Sequence, residues 1–96
     1  MGVKKTVEDT DFYMYIGPSI RGVIQTATIY EGPKDRVLDF LAPAIAKYPR
    51  IKSFVISGTD LPFERLKLKK PGTFLFNEYK TFVNELKKEG GIYHAY

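Results

Sequence analysis

The sequence has no cysteine, no tryptophan and a single histidine. Without thiols, disulfides, zinc–thiolate centres and cysteine nucleophiles are excluded. A fold with no redox demand fits the cytoplasm of a cell. The one histidine, His94, lies in the closing stretch "IYHAY". A catalytic imidazole needs an orienting partner on a firm scaffold, and a tail of this kind offers neither. Ser19, Ser53 and Ser57 have no base in view, so nucleophilic catalysis has no support. Neither a P-loop nor a dinucleotide-binding fingerprint is present, and "GPSIRG" (17–22) has the wrong spacing for either. Asp35 and Asp39, four apart with Glu31 just before them, are the best carboxylate group for a metal. Lys34 and Arg36 interleave with them, so solvated surface carboxylates are the plainer reading. The chain is therefore expected to be no enzyme, with no cofactor and no metal.

Long apolar runs are also lacking. None approaches the roughly 18 residues of a membrane span, and "MGVKKTVEDTDF" (1–12) has no apolar core like that of a signal peptide. No membrane partner is expected, and a cytoplasmic location is.

What the chain does hold is ring and charge. Its 96 residues, 44% hydrophobic and 27% charged, fit one globular domain. Seven tyrosines and seven phenylalanines are many for that length, and the net charge is +4. A positive balance favours anionic partners such as nucleotides, nucleic acid or an acidic protein face, and it serves equally as a solvated surface.

Residues 1–10 are polar and read as a loose arm. "FYMYI" (12–16) has the aromatic, apolar make-up of a strand, with Phe12, Met14 and Ile16 on one face and Tyr13 and Tyr15 on the other. "VIQTATIYEG" (23–32) is rich in β-branched residues and reads as a second strand. "GPKDRVLDFLAPAIAKYP" (32–49) reads as a helix. Gly32 caps it, Pro33 takes its first position, and Val37, Leu38, Leu41, Ile45 and Tyr48 form its buried stripe. Pro43 must kink or break it. "IKSFVISG" (51–58) is bounded by Pro49 and Gly58 and reads as a central buried strand. Leu61 begins a short helix capped by Thr59 or Asp60. Leu75, Tyr79, Phe82, Val83 and Leu86 mark a final helix capped by Thr73 and stopped at Gly90–Gly91. The expected fold class is α+β: a small single-layer sheet of about three strands, a β-hairpin plus a central strand, against two main helices in the order β-β-α-β-(α)-α.

The most distinctive stretch is "YIGPSIRG" (15–22). Gly17 and Gly22 are free to take positive φ and let successive N–H groups converge on an anion. Ser19 adds a hydroxyl, and Arg21 a planar cation that grips phosphate in bidentate fashion. "SGTD" (57–60) adds Ser57 and Thr59 at the start of a helix, and Lys67 and Lys69, with Arg65 and Lys70, supply positive field. Tyr15, among Tyr13, Tyr30 and Tyr93, is offered as a stacking surface for a base. The candidate ligand-binding residues are thus Tyr15, Gly17, Ser19, Arg21, Gly22, Ser57, Thr59, Lys67 and Lys69. The same stretch also reads as an ordinary turn, with Arg21 paired to Glu31 or a tail carboxylate, or as a protein contact. Duplex DNA is not an expected partner, because no helix stands out for a groove.

"YIGPSIRGVIQTATIYEG", "LAPAIAKYPRIKSFVISG" and "KKPGTFLFNEYKTFV" together span nearly all of the chain after the arm, and the pattern resembles small uncharacterised proteins of bacterial phages and prophages. The resemblance implies a viral protein acting in a bacterial cytoplasm. Two roles go with it: an antagonist of host defence that sequesters a nucleotide-like signal, or an accessory of virion assembly acting through protein contacts. A homo-oligomer is expected in the first case, with the ligand buried between subunits.

Overall fold

The computed structural model describes residues 12–89 and the backbone of 93–94. The expected arm (1–10) lies outside the described residues. Strand β1 is Phe12–Tyr15, β2 Ser19–Ile20 and β3 Ile29–Glu31. Helices α1 (Lys34–Phe40) and α2 (Ala42–Lys47) lead through a 3₁₀ helix (Pro49–Phe54) into β4 (Val55–Ser57). Helices α3 (Leu61–Lys69) and α4 (Phe74–Lys88) follow, and β5 (Tyr93–His94) closes the described chain. The main sheet is antiparallel with order β3-β1-β4, and β2 pairs with β5 in a second, two-stranded sheet. The architecture is a small α+β fold, as the sequence predicts.

The centre of the sheet is β1, not the strand expected from residues 51–58. Met14 sits opposite Ile29 on one side and Ile56 on the other. Most of the "IKSF" run is 3₁₀ helix instead. Pro49 holds Tyr48 at φ −135°, and the Ile51 N–H donates back to the Tyr48 carbonyl at 3.0 Å. Side chains three apart eclipse in such a helix, so Ile51 and Phe54 both reach the core with no exposed surface. On a strand they would point to opposite faces.

The second expected strand is likewise shorter than residues 23–32. Ile20 and Ile24 exchange backbone hydrogen bonds at 2.8 and 3.1 Å. Gly22 turns between them at φ +78°, and Ala27 turns again at φ +66°. Only Ile29–Glu31 extends beside β1. The β-branched residues upstream serve two tight turns.

The first helix divides as Pro43 requires. Leu41, at φ −90° and ψ 2°, separates α1 from α2, and Pro43 sits in the first turn of α2. Pro33 occupies the N-cap rather than the first helical position. Pro62 lies in the first turn of α3. Thr73 caps α4 by accepting from the Phe76 N–H at 3.2 Å, while its own hydroxyl donates to the Lys67 carbonyl at 2.6 Å. One side chain thereby ties the end of α3 to the start of α4.

The core is aromatic. Phe54 stacks on Phe82 at 6.1 Å between centroids and meets Tyr15 and Tyr79 edge-on at 6.5 and 5.9 Å. Leu75, Phe82 and Leu86 of α4 are buried against Ile51 and Phe54. Truncating Phe54 or Phe82 to alanine is expected to cost about 3–5 kcal/mol. Arg50 fastens the same layer from outside, reaching Glu78 at 2.9 Å and Glu85 at 3.0 Å on α4.

Candidate functional site

The stretch 15–22 folds around Tyr15. The ring has no exposed surface, and its hydroxyl donates to the Pro18 carbonyl at 2.7 Å. Burial first, with Tyr79 and Tyr30 nearby, pushes the phenol far above its ordinary value. Gly17 does not adopt positive φ; it is small because Tyr15 lies on it. A Cβ at Gly17 would stand 2.6 Å from the Tyr15 oxygen. Ser19 is buried as well, and its hydroxyl accepts from the Thr26 N–H at 2.8 Å. Tyr15, Gly17 and Ser19 thus build the turn, and of the three only Ser19 borders a depression. The stacking role expected of Tyr15 is closed by its burial.

Arg21 and Gly22 remain exposed. With Ser19 and residues 23–25 they border an open depression of about 470 Å³. Arg21 makes no ion pair among the described residues, with Glu31 or any other carboxylate. Ser57 accepts from the Asp60 N–H at 3.3 Å as part of the turn into α3, and Thr59 beside it is exposed. Lys67 is paired with Glu64 at 3.3 Å. Neither Ser57, Thr59 nor Lys67 borders either depression.

A separate groove of about 450 Å³ shares no lining residue with the depression at Arg21. Its floor is Ile16, Leu68, Phe76 and Tyr79. One wall is the backbone turn at Thr26 and Ala27, and the other carries Arg65 and Lys69 from α3 and Lys80 from α4. Lys69 is the one candidate ligand residue from the sequence that lines it.

Local sequence places each group. Arg65 and Lys69 are four apart on α3, so they share a face, with Leu68 turned toward the core beside them. Phe76 and Lys80 repeat that spacing on α4, and the Lys80 ammonium lies 5.8 Å from the Phe76 ring centroid. The Arg65 guanidinium reaches Met14 Sδ at 3.3 Å. None of these three cations has a carboxylate partner among the described residues. Chemically the groove offers a positive rim, an aromatic floor and a polar turn. It has no nucleophile–base pair, and no metal-ligating cluster occurs among the described residues.

Thr26, Ala27, Phe76 and Lys80 were not legible as site residues from the chain. The i, i+4 pairs Arg65/Lys69 and Phe76/Lys80, flanking apolar Leu68 and Tyr79, are the signal that marks this face.

Among the described residues no helix is long and apolar enough to cross a membrane. Comparison with family models, with curated proteins and with solved structures returns no match.

Proposed function

We propose that this is a non-enzymatic binding protein that holds an anionic, nucleotide-like ligand in the groove between the Thr26–Ala27 turn, α3 and α4. The observation that carries this reading is the set of three cations, Arg65, Lys69 and Lys80, without carboxylate partners among the described residues, around an aromatic floor. Cations without internal partners attract external anions. Guanidinium and ammonium groups suit phosphate, and aromatic rings suit a base. A groove of about 450 Å³ falls within the usual span of small-ligand sites, about 300–1,000 Å³. Joined to the phage resemblance of the sequence, the role is sequestration: a phage-encoded protein that removes a nucleotide signal of host defence without altering it. Calorimetry with linear, cyclic and dinucleotide ligands tests it. At least one should bind to the wild type, and Arg65→Ala with Lys69→Ala should weaken it at least tenfold. Binding of none, or binding indifferent to both changes, ends the proposal.

A second reading rests on a different observation. Ile29, Phe40, Phe63, Leu66 and Phe74 are each more than half exposed, at 52 to 72%. Large apolar groups left in water favour protein contact, as in a homo-oligomer or an accessory of phage assembly. Sedimentation tests it: a particle heavier than one chain that Phe63→Asp or Phe40→Asp dissociates supports contact through these faces, and a monomer at high concentration opposes self-association.

A further inference from the structure

The two walls of the groove differ in what they ask of a ligand. The charged groups that α3 and α4 bring to the groove, Arg65, Lys69 and Lys80, are all cations. The backbone donors of the turn wall are used up. Thr26 N–H donates to Ser19 Oγ at 2.8 Å, and Ala27 N–H donates to the Tyr15 carbonyl at 2.7 Å. The Thr28 carbonyl accepts from Tyr15 N–H at 3.1 Å, and the Thr28 hydroxyl donates to the Gln25 carbonyl at 2.8 Å. These bonds hold Ala27 at φ +66°, a conformation that alanine adopts only under constraint from its surroundings. What remains unused on this wall is oxygen. The Thr26 hydroxyl and the Thr26 and Ala27 carbonyls have no hydrogen-bond partner among the described residues. The hydroxyl can accept or donate, whereas the two carbonyls only accept, so acceptors outnumber donors on this pinned turn and favour a ligand edge that donates.

Resting on the groove reading above, we infer that the ligand is a nucleotide whose base carries an exocyclic amine. The amine donates to Thr26 Oγ1, the ring lies over Phe76 and Tyr79, and the phosphate meets Arg65, Lys69 and Lys80. A site built to pair with an N–H group rejects the analogue that lacks it, because its own oxygen is then desolvated without a partner.

Matched pairs isolate that one group. Adenosine monophosphate is compared with purine riboside monophosphate, and guanosine monophosphate with inosine monophosphate, by calorimetry on the full chain. In at least one pair the amino member should bind about tenfold more tightly, as one lost hydrogen bond of about 1.4 kcal/mol requires. Thr26→Val keeps the shape and removes the acceptor, so it should cut that preference to within about twofold. If both pairs bind equally to the wild type, the amine inference is overturned while the groove reading stands. A preference untouched by Thr26→Val also overturns it. If no nucleotide binds at all, the groove reading falls and takes this inference with it.

Discussion

The Tyr15 hydroxyl donates to the Pro18 carbonyl three residues ahead, at 2.7 Å, with Gly17 folded beneath the ring. This one bond turns a stretch that looks like an open anion loop into a closed corner of the core. It also fixes where Ile16 and the Thr26–Ala27 turn stand, since Ala27 N–H bonds the Tyr15 carbonyl.

Gly17→Ala should therefore destabilise the fold. The added methyl carbon meets the Tyr15 ring and hydroxyl at 2.6 to 2.9 Å, and the buried ring has little room to retreat. Overpacking of this kind costs about 1–3 kcal/mol, read as a lower denaturant midpoint at unchanged slope.

Tyr15 should also make stability fall in alkali. Its folded ionisation is pushed well above the ordinary value of 10.0 by burial, and Tyr30 is raised too, again by burial. The contribution is complete below pH 10, where both states keep the proton. Above it the unfolded chain ionises first, so stability declines as pH rises. Tyr15→Phe should flatten part of that decline in unfolding curves recorded across this range, leaving the share due to Tyr30.

Ala27→Gly should stabilise the fold by up to about 1 kcal/mol, because glycine takes positive φ without the penalty a Cβ brings. Thermal melts of the two proteins check it. An unchanged or lower midpoint would mean that the turn carries no strain at Ala27.

Arg50→Ala should weaken the attachment of the 3₁₀ helix to α4. Hydrogen bonding to Arg50 is the main cause that holds the Glu85 carboxyl below its ordinary value. That part of stability is present above pH 4.5 and is lost as pH falls through the lower folded value. The deficit of Arg50→Ala should shrink in high salt and in acid, since the pair is exposed and screened.

Patterns carried by local rules were legible in the chain. The stripe Leu75, Tyr79, Phe82, Leu86 and the Thr73 cap marked α4, and Pro43 marked the break between α1 and α2. Tertiary context decided the rest. Ile51 and Phe54 look like strand residues until Pro49 sets a three-residue turn that buries both. Tyr15 looks like a surface for stacking until Phe54 packs against it. Lys69 could be proposed for a site from charge alone, but its neighbours Thr26 and Lys80 come from distant segments that only the fold brings to one groove. Arg21, the cation the glycine stretch singles out, borders a different depression from that groove.

That separation makes Arg21 a control. Arg21→Ala should leave nucleotide affinity within about twofold, while Lys69→Glu, which reverses a charge on the rim, should abolish it. Equal loss in both variants would place the phosphate near the glycine turn instead.

The most direct measurement is the map of backbone amide shifts as a nucleotide is titrated into labelled protein. A groove site predicts saturable shifts at Ile16, Ala27, Leu68, Lys69, Phe76 and Lys80, with residues 20–25 unmoved. Shifts centred on Arg21 and Gly22, or none with any nucleotide tried, would contradict it.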